Sequence, residues 1–235
     1  MSGALEGRVA VVTGGTGALG QAITRRLVAD GAAVAVPYAV AHEAERLTAA
    51  LSAAERERVM LDPVDVLDDA ALARFVDGVR ARFGRIDVLV AGVGGFAGGA
   101  LVETARETWE QMLRLNLTSV YTATRAVVPH MLASGFGRVV VIASRAVVTP
   151  GPGFIAYTAA KAGVIAFTLA LAAETRLGGV TANAVLPSTM DTPANRVAMP
   201  DADVTQWVPV ASVADAVAFL VRPEAGHVTG TLLAI

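Results

Sequence analysis

Between residues 8 and 31 an apolar run gives way to a glycine-rich turn and then to a helical pattern, and few folds accommodate that succession. Arg8-Val9-Ala10-Val11-Val12 shows no polar–apolar alternation, which predicts a strand buried on both faces of a parallel sheet. It runs into Thr13-Gly14-Gly15-Thr16-Gly17-Ala18-Leu19-Gly20, and a helix is expected over Gln21–Asp30, closed by Gly31. Gly15, Gly17 and Gly20 satisfy GxGxxG in the strand–turn–helix setting that gives this spacing its meaning. Glycines there let the backbone approach a pyrophosphate, which rests against the positive end of the helix dipole. A dinucleotide site is the expectation, and a tight turn that binds nothing is the alternative.

The rest of the chain repeats the alternation. Further strands are predicted over Ala33–Val36, Val59–Leu61, Arg85–Val90, Val139–Ala143, Thr181–Leu186 and Gly230–Ile235. Helical patterns lie between them, over Ala41–Ala54, after Asp68 or Asp69, over Glu107–Ala133, from Tyr157 to Leu177, and over Val213–Val221. Strands alternating with helices throughout predict an α/β fold, a single doubly wound parallel sheet with helices on both faces. No repeat or linker interrupts it, so residues 1–235 are expected to form one domain.

Composition excludes several functions. At 54% hydrophobic and 17% charged residues, the chain is too apolar for disorder, which suggests an unusually large core or helices buried against other subunits. Its longest apolar runs are interrupted before about 18 residues, so no membrane span is expected. A net charge of −2 without a basic cluster argues against nucleic acid. Cysteine is absent and the three histidines are scattered, which predicts neither disulfides nor a metal site. The first residues lack the basic stretch and cleavage site of a secretory signal, and a cytoplasmic location is expected.

Chemistry concentrates after the fifth predicted strand. Ser144 ends that strand, Thr149-Pro150-Gly151-Pro152-Gly153 breaks the chain, and Tyr157 and Lys161 stand four apart on the helix that follows. That spacing puts them on one face, where an ammonium beside a phenol favours the phenolate. Asn116 lies inside the apolar stripe of Met112, Leu113, Leu115 and Leu117, where it either bends its helix and holds a water or is one polar residue on a partly exposed face. Asp65 offers a carboxylate to an adenine amine, or serves only its turn. Tyr38, Ala39 and Val40 follow the second strand, where a dinucleotide site usually carries an acid for a ribose 2′-hydroxyl or a base for a 2′-phosphate. They supply neither, so these residues leave NAD and NADP undecided. The glycines of residues 91–99 predict backbone close to a cofactor ribose, and residues 187–209 read as a lid without clear periodicity.

Taken together, these residues resemble the short-chain dehydrogenase/reductase family over essentially the whole chain. Thr13 to Gly20 resembles its TGxxxGxG turn with Ala18 in place of the middle glycine, and Asp65-Val66 resembles its adenine-contacting pair. Asn116, Ser144, Tyr157 and Lys161 fall in the order and spacing of its catalytic tetrad. Two departures stand out: Ala91-Gly92-Val93-Gly94 replaces the usual NNAG, and Pro187-Ser188 the usual PG. The first removes an Asn that helps stabilise the central sheet, so contacts there must differ.

The resemblance implies hydride transfer between NAD(P)H and a carbonyl or alcohol. In that scheme Tyr157 gives or takes the proton, Lys161 lowers the phenol's pKa and holds a ribose, Ser144 steadies the oxyanion, and Asn116 fixes a water. It also implies cofactor contacts at Gly14, Thr16, Gly17, Leu19, Tyr38, Asp65, Val66, Ala91, Gly92, Tyr157, Lys161, Pro187, Met190 and Thr192, with no metal. With no carboxylate at Tyr38 or Ala39 to repel a 2′-phosphate, NADPH is expected to be weakly favoured over NADH. Phe96, Arg145, Phe154, Met199 and Trp207 are candidates for the substrate wall. Residues 91–99 and the lid also look similar to those of dihydropteridine reductases, so pterin reduction is a second reading. A protein that senses NAD(P) without chemistry is a third, and it gives no reason to hold all four tetrad residues. Surplus apolar residues on the helices over Glu107–Ala133 and Tyr157–Leu177 predict a homodimer or homotetramer.

Overall fold

A computed structural model describes residues 3–235. Seven parallel strands form one sheet: β1 (Val9–Thr13), β2 (Ala33–Tyr38), β3 (Val59–Pro63), β4 (Val88–Ala91), β5 (Gly137–Ile142), β6 (Val180–Leu186) and β9 (Leu232–Ala234). Their order is β3-β2-β1-β4-β5-β6-β9. The chain winds outward from β1 to β3, then crosses back to β4 on the other side of β1. That reversal opens a crevice at the carboxyl ends of β1 and β4, the usual ligand position in such sheets.

Burial on both faces explains why the strands read as unbroken apolar runs. Val9 and Val11 of β1 enter one apolar layer, while Ala10 and Val12 enter the other. The first layer packs under α4 (Asp69–Phe83), α6 (Ser119–Ser134) and α7 (Ile155–Thr175), through residues such as Val76, Val127 and Val164. The second packs under α1 (Ala18–Ala29) and α9 (Val210–Leu220), through Ile23, Leu27, Val213 and Val217. At the opposite end from the crevice, buried Asp87 ties β1 to β4. It accepts from the Val9 amide at 2.9 Å and pairs with Arg8 and Arg85.

Several expectations need correction. The helix predicted over Ala41–Ala54 is two, α2 (Ala41–Ala49) and α3 (Ala53–Glu57), because Ser52 and Glu55 form a capping box that starts a new helix. The one predicted over Glu107–Ala133 is interrupted. α5 (Arg106–Leu113) leads into a π turn at Arg114–Thr118 before α6 begins. The lid is ordered: β7 (Met190–Asp191) pairs with β8 (Val208–Pro209), and α8 (Pro193–Ala198) lies between them. Ile155–Gly178 is long enough to cross a membrane and holds an 18-residue window with a mean hydropathy of 1.6, although Thr158, Lys161, Gly163 and Thr168 break its apolar run. Here it lies on the sheet, with Val164 and Ala172 in the core beside Val180 and Ala182.

The last strand is shorter than predicted but reaches the lid. The Ile235 amide donates to the Leu186 carbonyl at 3.1 Å, and the Ser188 amide donates to the Ile235 carbonyl at 2.8 Å.

Candidate active site

The crevice begins at the glycine turn between β1 and α1. Gly14 adopts φ +71°, and a Cβ there would lie 2.8 Å from the Gly92 carbonyl, so this approach of the two loops needs glycine. A Cβ on Gly20 would overlap the Gly14 carbonyl oxygen. Gly17 caps α1 without a side chain, and no acid stands in the first turn. Amides at that end are thus left for an anion from outside, and a dinucleotide pyrophosphate fits the turn. Leu19 is partly buried against the α1–α9 layer. Thr16 is buried, with its carbonyl accepting from Gln21 Nε2 at 2.7 Å and its hydroxyl donating to Glu43 Oε2 at 3.1 Å. Sequence reasoning missed Glu43, because its partner lies 27 residues away and no local pattern marks it.

Farther along the crevice, Tyr38 closes β2, and its carbonyl accepts from the Val64 amide at 2.9 Å. Exposed Asp65 accepts from the Leu67 amide at 2.9 Å, as a turn residue does, while buried Val66 accepts from the Thr122 hydroxyl at 2.7 Å. Ala91 stands in register with Thr13, and the Gly92 amide donates to the Thr13 carbonyl at 3.1 Å. The buried Thr13 hydroxyl has no hydrogen-bond partner among the described residues. A cavity of about 540 Å³ lies beyond Tyr38, lined by Ala41, Ala44, Glu45, Thr48 and Leu61 among others. It contains none of the tetrad.

β5, α7 and the π turn bring together the four residues singled out for chemistry. Ser144 follows β5 and accepts from the Ala146 amide at 3.2 Å. Tyr157 sits in the first turn of α7, and Lys161 lies one turn further along, 5% exposed. Lys161 Nζ donates to the Ile142 carbonyl at 2.8 Å and stands 5.9 Å from the centroid of the Tyr157 ring. Burial pushes Lys161 down to about 8. Burial also pushes the Tyr157 phenol up, and Ser144 offsets part of that rise. This corrects the simple expectation that the ammonium lowers the phenol's pKa: both groups are desolvated, and desolvation dominates.

Asn116 is fully buried in the π turn. Its Nδ2 donates to the carbonyls of Gly95 and Met112, each at 3.0 Å, and its Oδ1 accepts from the Gly95 amide at 3.3 Å. The side chain therefore clamps the loop after β4 to the π turn. A Cβ on Gly94 would lie 2.8 Å from Asn116 Oδ1 and 3.5 Å from Lys161 Nζ, so that glycine fits between the two.

Of the five wall candidates, Phe96 packs against Tyr157, and Phe154 packs against Phe96. The Phe96 ring lies 5.2 Å from both Phe154 and Tyr157, edge-on to the latter. The loop is pinned there by the Gly99 amide, which donates to the Gly153 carbonyl at 2.7 Å. Arg145 and Met199 are exposed, and Trp207 is half-buried in the lid. Buried Pro187 accepts from the Arg145 amide at 3.1 Å. In the lid, Thr192 caps α8 through the Asn195 amide, and the Met190 carbonyl accepts from Asn195 Nδ2 at 2.8 Å.

Comparison with known proteins supports the same architecture. The family model described as short chain dehydrogenase matches residues 8–203. The chain is 33% identical to the 3-oxoacyl-(acyl-carrier-protein) reductase FabG of Haemophilus influenzae, over 97% of this chain and 96% of that one. It is 36% identical to a 2-dehydro-3-deoxy-L-rhamnonate dehydrogenase (NAD(+)) of a Sphingomonas species, over 82% of this chain and 76% of the other. Among solved structures, levodione reductase superimposes with a TM-score of 0.89 at 26% identity, over 98% of this chain and 96% of that chain. NAD+-bound xylitol dehydrogenase superimposes with a TM-score of 0.88 at 24% identity, covering 98% of each chain.

Proposed function

The chain belongs to the short chain dehydrogenase family, and from that premise we propose that it is an NAD(P)-dependent oxidoreductase acting on a small carbonyl or alcohol substrate in the cytoplasm. The observation that carries this reading is the gathering of Ser144, Tyr157 and Lys161 beside a glycine turn whose helix end is open to an anion. When bound, the nicotinamide cofactor supplies or takes up the hydride. Tyr157 gives the substrate oxygen its proton during reduction and removes it during oxidation. Ser144 donates to that oxygen as charge develops on it. Lys161, protonated below its pKa of about 8, offsets negative charge on the phenol oxygen and donates to the ribose next to the nicotinamide. Asn116 is a positioning residue that holds the loop after β4 against the π turn.

On the cofactor side, the turn residues Gly14, Thr16, Gly17 and Leu19 receive the phosphates. Tyr38, Asp65 and Val66 flank the adenosine. Ala91, Gly92, Pro187, Met190 and Thr192 border the nicotinamide half. Residues 1–235 act as one domain, and the chain assembles as a homodimer or homotetramer.

The test is a screen for NADH and NADPH depletion against ketones, quinones, sugars and pterins. Tyr157→Phe keeps the ring but removes the proton, so turnover should fall roughly 10²–10⁴-fold with cofactor binding little changed. Ser144→Ala should cost about 2.7–4 kcal/mol in ketone reduction. Pterin turnover that survives Ser144→Ala favours the pterin reading. Cofactor binding without turnover across the whole panel favours a sensor.

A further inference from the structure

Glu43 is explained by neither the catalytic residues nor the packing of α2. It lies in the first turn of that helix, half-buried, and its Oε2 accepts from the Thr16 hydroxyl at 3.1 Å. Thr16 is itself fixed in the glycine turn, through its carbonyl and Gln21. The carboxylate thus bridges the turn that receives the pyrophosphate and the start of the helix that follows β2. A dinucleotide with its pyrophosphate on α1 has its adenosine ribose between those same two elements. A carboxylate in that place accepts from ribose hydroxyls and meets a 2′-phosphate with like charge.

No base offsets it at the turn or at the end of β2. Gly17 has no side chain, and Tyr38, Ala39 and Val40 carry no charge. On α2, His42 is exposed, and Arg46, one turn further along, forms no ion pair with Glu43 among the described residues.

We propose that Glu43 sets the cofactor choice of this chain, taking the adenosine ribose of NAD(H) and repelling the 2′-phosphate of NADP(H). The inference rests on the NAD(P)-dependent reading above. It reverses the weak leaning toward NADPH, which assumed that no carboxylate stood at the ribose. The acid absent from the end of β2 is supplied by the helix that follows.

Equilibrium binding of NADH and NADPH, followed by nicotinamide fluorescence, tests this without turnover. Wild-type protein should bind NADH at least about tenfold more tightly than NADPH, since like charges meet in a partly buried site. Glu43→Gln keeps an acceptor for Thr16 and removes the charge. It should tighten NADPH by roughly tenfold while NADH affinity stays within about threefold. Raising the salt should narrow the wild-type difference, because repulsion is screened. This second reading decides the matter if the variant fails to fold. A wild-type preference for NADPH, a ratio unmoved by Glu43→Gln, or a difference insensitive to salt overturns the assignment of Glu43 alone. If the wild type binds neither dinucleotide, the functional reading falls and this inference falls with it.

Discussion

Lys161 combines nearly complete burial with a charge that the proposed chemistry uses, and the cost of that combination is measurable. Its pKa is about 8 in the folded chain, against about 10.4 for an unfolded lysine. Between those values the unfolded chain holds a proton that the folded chain has shed, so stability rises with pH across the window. Below about 8 both states are charged and the penalty is constant. Tyr157 acts in the opposite sense above about 10, because its folded pKa is raised and the unfolded phenol ionises first. Lys161→Met should therefore be more stable than wild type at pH 7, by an amount on the order of 3 kcal/mol at most. That gap should close between about pH 8 and pH 10 in urea unfolding of the cofactor-free protein. A gap that stays flat with pH would show that the charge carries no burial penalty. The Tyr157–Lys161 pair itself is legible in the sequence because four residues make one helical turn. The direction of the tyrosine's shift is not, since burial is set by β5, α7 and the loop that brings in Phe96. Glu43 and Asp87 escape notice for a related reason: the partners that give them meaning are far away in sequence.

At the scale of elements, the alternation of strand and helix is legible because each strand is buried on both faces and reads as one apolar run. The interruptions are less so. An apolar stripe continues from α5 into α6 as though the helix were regular, yet the π turn rotates Asn116 toward the loop after β4. Only the polarity of Asn116 within that stripe hints at it. Similarly, the lid has too few residues per element for a periodic pattern, so β7, α8 and β8 emerge only from their mutual hydrogen bonds. Asn116→Ala removes every bond between the π turn's side chain and Gly95. The expected result is about 1–3 kcal/mol of lost stability. Amide exchange should speed up across residues 93–99, and turnover should fall as Phe96 loses its place beside Tyr157. Unchanged exchange in that loop would mean that the Gly99–Gly153 contact holds it unaided.

For the whole molecule, α7 poses a question of surface. The helix is apolar enough to cross a membrane, but only 33% of its most apolar window is buried. Leu169 remains 42% exposed, with Tyr121 of α6 at 45% and Trp109 of α5 at 37%. A second copy of the chain is the expected cover, and light scattering at micromolar concentration should report a dimer or tetramer. Leu169→Lys should shift the population toward smaller species. Each leucine buried at a two-fold contact contributes roughly 1.5–3 kcal/mol and occurs once per subunit. A monomeric wild type would refute the assembly. The last strand has a different bearing, on time. Ser188, where the lid begins, is held by the carbonyl of Ile235, and β9 pairs with β6 across some forty-five intervening residues. On a ribosome, the glycine turn and Tyr157 emerge long before that strand has been made. A nascent chain of this protein therefore lacks the hold of Ile235 on Ser188 until β9 has been made, so the start of its lid should be fixed last.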